Sequence, residues 1–259
     1  MFRELINTFS VLQIFLLILV LLTAFSALAS YLASILIPKE TVNSEYSRST
    51  DNILSIMGSG YGVFLGFVII ALWNQYLAVQ RIVYQEADAL SIIVRNIEVF
   101  PEEDRSILKN AVYRYLEAIR VDEWQTMRQG KESEKAWAAT YNLYKTFQTY
   151  DPKTQKQALF YRQIINNIDA TLKDRRNRLI SMKSILTDEM RTALILGAMV
   201  IIFLSSLLKA REGALRIFAT FCLATVISFN LTLALSFDYP FSGSISVSNA
   251  AFYEGVLAN

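Results

Sequence analysis

The chain has 259 residues, of which 53% are hydrophobic and 19% charged, with 25 Lys and Arg against 23 Asp and Glu, no histidine and one cysteine. Soluble domains average roughly 25% charge, so this composition leans towards the membrane. The missing imidazole excludes a histidine-based triad and a Cys/His zinc site, the lone Cys222 excludes an intrachain disulfide, and a net charge of +2 is no footprint for nucleic acid.

From Val11 to Ile37 there is no charge. At ~1.5 Å per residue this run makes about 40 Å of helix, more than the ~30 Å hydrocarbon core needs, and predicts a tilted span. A secretory leader cleaved after Ala27-Leu28-Ala29 is the competing reading. The unbroken apolar length and Glu4 ahead of it favour the span. A second uncharged run, Ile53 to Val79, predicts the next span, which continues out of the membrane as helix through Arg81, Glu86, Asp88 and Arg95 to Phe100.

Within that second span Gly58, Gly62 and Gly66 recur every four residues, beside Gly60. Small residues at this spacing let helix backbones approach closely in lipid. Their partner is either another helix of the same chain or a second copy around an oligomer axis. Trp73, Asn74 and Tyr76 suit the headgroup zone, or Asn74 a pore mouth.

The polar middle reads as helix almost throughout. Pro101 with Glu102, Glu103 and Asp104 starts one helix, whose buried face is predicted from Leu108, Val112, Tyr115 and Ile119. Another is expected from about Glu132 to Tyr150. A third begins near Pro152 with a stripe of Tyr161, Ile165, Ile168, Leu172 and Leu179, and Thr187 or Asp188 caps the way into the next span. The basic cluster Lys173 to Arg178 reads as a solvated face or an anionic-lipid contact, and acid pairs such as Asp122/Glu123 as surface charges. Neither a calcium-loop order nor a Gly-rich phosphate loop is present, so no metal, cofactor or catalytic set is expected.

Two further spans follow, Thr192 to Leu208 and Ile217 to Phe237, joined by Lys209 to Arg216 as a hairpin. Hydroxyl stripes lie in the first span (Ser26, Ser30, Ser34) and the fourth (Thr225, Ser228, Thr232, Ser236), and are expected to bond their own backbone or a neighbouring helix. In the tail, Pro240 and Gly243 predict a turn, Ser244 to Ser248 an extended piece, and Ala250 to Leu257 a helix at the membrane surface. The expected organisation is all-α: a first transmembrane pair (1–79), a helical region (80–190), a second pair (191–237) and a tail (238–259), forming one unit. Arg81 and the run from Lys173 to Arg191 place the middle region in the cytoplasm by the positive-inside rule. Lys209, Arg211 and Arg216 argue the other way, and the loop Pro38 to Asn52 is balanced.

The segment Val63-Phe64-Leu65-Gly66-Phe67 followed by Trp73-Asn74-Gln75-Tyr76 resembles the second membrane helix of bestrophins. Glu86 to Leu90, Arg95, Tyr115 to Trp124 and Asp238 to Gly243 are similar to the bacterial bestrophin-like family. The resemblance implies four membrane helices with a helical cytoplasmic region inserted between the second and third, a pentameric homo-oligomer, and anion conduction. It maps the pore neck onto Ser59, Val63 and Phe67, although Ser59 stands where bestrophins carry a bulky apolar residue. The stretch from Phe67 to Trp73 is also about one turn shorter. The acidic calcium clasp of bestrophins is replaced by Ser244 to Ser248, so calcium gating there is not expected. The implied partners are the lipid bilayer and small inorganic anions, with Trp73, Asn74 and Arg81 at the pore mouth or membrane interface. The rival reading is a non-conducting membrane-anchored sensor or scaffold that recruits a partner through the cytoplasmic helices.

Overall fold

The computed structural model describes residues 2–36, 44–207 and 213–258. These form α1 (Phe2–Thr8), α2 (Val11–Leu36), α3 (Ser44–Ile97), α4 (Glu102–Glu117), α5 (Trp124–Arg128), α6 (Glu134–Gln148), α7 (Gln155–Ile180), α8 (Asp188–Leu207) and α9 (Gly213–Phe237). A π-helical turn, Ala118–Glu123, joins α4 to α5, and two 3₁₀ turns, Ala250–Tyr253 and Gly255–Leu257, lie in the tail. No strand occurs among the described residues. Of the basic residues of the two membrane connections, Lys39, Lys209 and Arg211 lie outside the described residues.

Local chemistry explains the boundaries. Pro101 precedes α4, whose first turn holds Glu102, Glu103 and Asp104. The Ser133 hydroxyl accepts from the Ala136 amide at the start of α6, and Thr154 and Gln157 cap α7 reciprocally. Of the two expected caps for α8, Thr187 serves, accepting from the Met190 amide at 3.3 Å.

Four helices are long and apolar enough to cross a membrane: Val11–Ile35, Asp51–Ile97, Asp188–Ser206 and Ile217–Phe237. α2 and α3 each pack on the α8–α9 pair. Close approach between α3 and α8 occurs at Gly197, where the Tyr61 ring fills the space of a side chain, and the Tyr61 hydroxyl donates to the Leu194 carbonyl at 2.8 Å. Hydroxyls knit the bundle as well, Ser26 with Ser206 and Ser205 with Thr220, each at 3.0 Å.

A second core forms outside this bundle. Leu108, Val112, Tyr115 and Ile119 are all buried in it, as their spacing predicts. On α7 the buried stripe is centred on Ile164 and Ile168, while Tyr161 and Ile165 are only partly covered, a rotation by one residue from the expected face. The tail departs further from expectation. Phe241, Val247, Ala251, Phe252 and Leu257 are buried in this core rather than laid on a membrane surface. Arg120 donates to the carbonyls of Phe252 and Leu257 and lies over the Tyr253 ring, which ends the tail on protein instead of lipid.

α1 folds back onto the same region. Arg3 donates to the Met182 carbonyl, Asn7 to that of Arg128, and the Gly243 amide to Asn7. The N-terminal helix, the helical region and the tail therefore share one side of the membrane bundle. Two glycines make this docking possible. Gly130 (φ +75°) and Gly243 (φ +80°) adopt the left-handed region, and a Cβ there would collide with the Arg3 guanidinium and with Ile6. Gly243→Ala is expected to cost about 1–3 kcal/mol, read as a lower unfolding temperature of the detergent-solubilised protein. Gly60→Ala, with no neighbour within 4 Å, should not lower it.

Candidate functional site

α3 is the element on which the site is built. Its 54 residues make a rod of about 80 Å, and from Leu65 onwards a buried and an uncovered face run along it with three-four spacing. One face is buried: Leu65, Val68, Leu72, Val79, Val83, Glu86, Leu90, Ile93 and Ile97. The opposite face is uncovered: Ile56, Gly60, Val63, Phe67, Ile70, Asn74, Leu77, Arg81 and Asp88. A spacing of this kind keeps a stripe on one side of a long helix.

The uncovered face carries the sequence-predicted neck. Ser59, Val63 and Phe67 lie along it, with Val63 60% and Phe67 68% exposed, and Ser59 bonds back to the Ser55 carbonyl at 2.7 Å. Asn74 and Arg81 continue the same stripe towards the second core. Both are exposed, and neither has a hydrogen bond or ion pair to a described residue. Trp73 is turned aside, stacked on Tyr76 at 5.7 Å and edge-on to Phe237 at 5.4 Å, so it fastens α3 to the end of α9. Gly58, Gly62 and Gly66 lie one residue round the helix from the neck positions. A Cβ added at any of them meets nothing within 4 Å, so packing inside the four-helix unit does not use them. Gly197, with the buried Ala198, Ala224 and Ala234, serves that purpose.

Behind the stripe lies a set of charges that sequence reasoning assigned to the surface. Glu86 of α3, Glu123 of the π-helical turn, and Arg175 and Arg178 of α7 are all buried, with Arg178 0% exposed. Arg178 grips Glu86 with two bonds, 2.7 and 3.0 Å, and reaches Glu123 at 2.8 Å. Arg175 pairs with Glu123 at 2.5 and 3.3 Å. The Tyr115 hydroxyl donates to Glu86 at 3.0 Å, Met127 sulfur accepts from Arg178 at 2.8 Å, and the guanidiniums lie over Trp124 and Trp137.

The corrections have one cause. Glu123 is no surface charge, and the cluster Lys173 to Arg178 is not wholly a solvated face, because two of its cations point into the core against two carboxylates. A signal was available. Glu86 falls in the buried register of α3, and Arg175 and Arg178 fall in register with Ile164, Ile168 and Thr171, so opposite charges occupy core positions. Burial works against the charge of Arg178, but Glu86 and Glu123 outweigh it and hold its pKa above the ordinary arginine value. Burial, with Glu86 adjacent, pushes the Tyr115 phenol well above its usual range and keeps it a donor.

A similar knot ties the second core to α8. Asp238, just past α9, accepts from the Leu186 amide at 2.7 Å, Ser184 at 2.8 Å and Arg191 at 2.7 Å. Among the described residues no group of three or more acidic or cysteine side chains is placed to hold a metal ion.

A family model described as a Bestrophin-like domain matches residues 20–252. Among solved structures the chain is similar to a tryptophan-to-alanine variant of a bacterial bestrophin homologue from Klebsiella pneumoniae. The two are 14% identical, the match covers 94% of each chain, and the TM-score is 0.64. No curated protein matches the chain.

The ionic knot is testable apart from that kinship. Glu123→Ala leaves two buried guanidiniums facing one carboxylate and should cost about 3–5 kcal/mol, seen as a large fall in unfolding temperature. The double variant Glu123→Ala/Arg175→Ala should lose less than the sum of the single changes. Asp122→Ala, which breaks only an exposed pair with Lys135, should shift stability by under about 1 kcal/mol.

Proposed function

The chain belongs to the Bestrophin-like family, and from that premise we propose that it is an oligomeric anion channel of the cell membrane whose α3 helices surround the pore. The observation that carries this reading is the uncovered stripe on α3, apolar at Val63, Phe67 and Ile70 and then carrying Asn74 and Arg81 on either side of Leu77. In a monomer such a face has no use for a continuous three-four register over most of a 54-residue helix. Around a symmetry axis, every position in it faces the copies of itself.

The parts then divide by chemistry. Ser59, Val63 and Phe67 form the neck, where rings of apolar side chains gate by dewetting. Gly58, Gly62 and Gly66, about 100° round the helix from the neck, take the neighbouring subunit's helix in close van der Waals contact. Asn74 and Arg81 line the mouth on the side of the second core, and the exposed guanidinium there favours anions. The resemblance to bestrophins supports an assembly of five subunits. The basic approaches to the spans support a cytoplasmic helical region.

In liposomes of reconstituted protein, Val63→Ala and Phe67→Ala are expected to raise anion flux several-fold, and Arg81→Glu to lower it and shift the preference towards cations. Gly62→Leu should shift the assembly towards monomer without changing the unfolding temperature of the single chain. A strictly monomeric protein in nanodiscs, or sealed liposomes without any flux from an intact oligomer, would overturn the proposal and leave the scaffold reading.

A further inference from the structure

Between α6 and α7 the helical region holds a pocket of about 260 Å³, away from the α3 stripe. Its walls are of two kinds. Trp137, Leu172, Leu179 and Met182 give it apolar sides, and Arg175, Arg176 and Lys183 bring three cations to it. Arg175 is the fixed one. It is 2% exposed, lies over the Trp137 ring at 4.3 Å, and spends Nε and Nη2 on Glu123 at 3.3 and 2.5 Å, which leaves Nη1 without a partner among the described residues. Arg176 and Lys183 are exposed and have neither a hydrogen bond nor an ion pair to a described residue. The carboxylate bordering the pocket is Glu132, which accepts from Trp137 Nε1 at 2.8 Å. With Arg175 balanced by Glu123, the other two cations outnumber it, and the pocket keeps a positive surplus.

The place of the pocket says which anion suits it. Lys183 follows α7, and the residues after it are tied to the edge of the membrane bundle. The Ile185 amide donates to the Asp238 carbonyl at 3.0 Å and the Leu186 amide to the Asp238 carboxylate at 2.7 Å, just past the end of α9, and α8 starts at Asp188. Ile180, 61% exposed, borders the pocket at this end. Cations beside an apolar wall, next to the start of a span, match a molecule that is anionic on one side and apolar on the other. Basic pockets at the membrane boundary recruit anionic headgroups, and guanidinium forks match phosphate oxygens. The volume is below the ~300–1,000 Å³ of sites for drug-sized ligands, so it takes a headgroup rather than a whole lipid. We propose that this pocket binds the phosphate of an anionic glycerophospholipid, held by Arg176 and Lys183 over the fixed guanidinium of Arg175. A headgroup seated there stands one carboxylate away from Arg178, and so from Glu86 of α3. The site needs a bilayer and stands whether or not the chain conducts.

Full-length protein in mild detergent, given phosphatidylglycerol and read by native mass spectrometry, tests the site. The wild type should retain one lipid per chain under activation that strips the rest. Arg176→Gln/Lys183→Gln should weaken this binding about tenfold or more, with the unfolding temperature in the absence of lipid unchanged. Should the double variant fail to fold, Arg176→Gln alone should lose affinity and Arg176→Lys should keep part of it. Lys156→Gln/Arg162→Gln, which removes charge from exposed positions farther along α7, should bind as the wild type does. Phosphatidylcholine, whose headgroup has no net charge, should be retained less than phosphatidylglycerol. Equal retention by the wild type and the pocket variant would mean annular lipid only and overturn the proposal. An equal loss in Lys156→Gln/Arg162→Gln would reduce it to overall charge and overturn it as well. Displacement of the lipid by millimolar inorganic phosphate would give the pocket to a soluble phosphate compound. Dissociation of an oligomer by the pocket variant would give its cations to a neighbouring subunit, and either result overturns the lipid assignment.

Discussion

Because α3 runs unbroken from Ser44 to Ile97, one helix must be stable in hydrocarbon at one end and against an aqueous domain at the other. Its backbone satisfies both solvents at once, since helical hydrogen bonds are internal wherever the segment lies. Only the side chains need to change, and they do so without a break in register. The buried face is aliphatic at Leu65 and Leu72 against α8 and α9, and aliphatic again at Val83, Leu90 and Ile97 against the second core. Tyr76 touches both clusters and sits where they meet. A rigid rod shared by two cores leaves little freedom for one to move without the other.

Glu86 is the exception in that face, and its cost shapes the surrounding structure. A carboxylate buried beside Leu90 is tolerable only with its charge matched and its lone pairs filled, which Arg178 and Tyr115 do. Arg178 in turn needs Glu123, and Glu123 brings Arg175. The π-helical turn widens the chain at Ala118–Glu123, the segment that ends on the carboxylate. Two acids and two bases thus close a neutral set joining α3, α7 and the π-turn. Apolar side chains of equal volume would hold these helices with similar or greater stability. What the charges add is direction, since a guanidinium fork accepts one alignment of α7 against α3.

The larger features were legible in the residues. Uncharged runs marked the four spans, and the caps at Pro101 and Thr187 and the stripe Leu108 to Ile119 were read correctly because each depends on local spacing alone. Motif resemblance named the family. What escaped was whatever needed two distant segments at once. Arg178 and Glu86 are 92 residues apart, and charge taken by itself reads as solvent-facing, so the knot was missed although each member stood on an apolar register. The tail failed for the same reason. Ala250 to Leu257 has an apolar face, and sequence cannot distinguish a lipid surface from a protein core until Arg120 is seen to receive its carbonyls. The glycines of α3 were open to two readings, and Gly197, the residue that admits Tyr61, had no pattern to announce it.

The bundle leaves apolar side chains uncovered on each of its four long helices, and the surfaces of α3 and α2 differ in composition in a physically meaningful way. In lipid there is no hydrophobic drive to bring helices together, so a surface meant for another helix must gain from close packing, and one meant for acyl chains has no such need. α3 presents glycines beside a regular stripe; α2 presents mainly leucine, valine and isoleucine, with Ala24 and Ala27 between them. Glycines are what close packing against another helix uses. α1 lies against the second surface, while its other face touches the core that α7 and α3 share. Arg3, Met182 and the end of α7 thereby tie the α2 side of the bundle to α3 by direct contacts and one ionic knot.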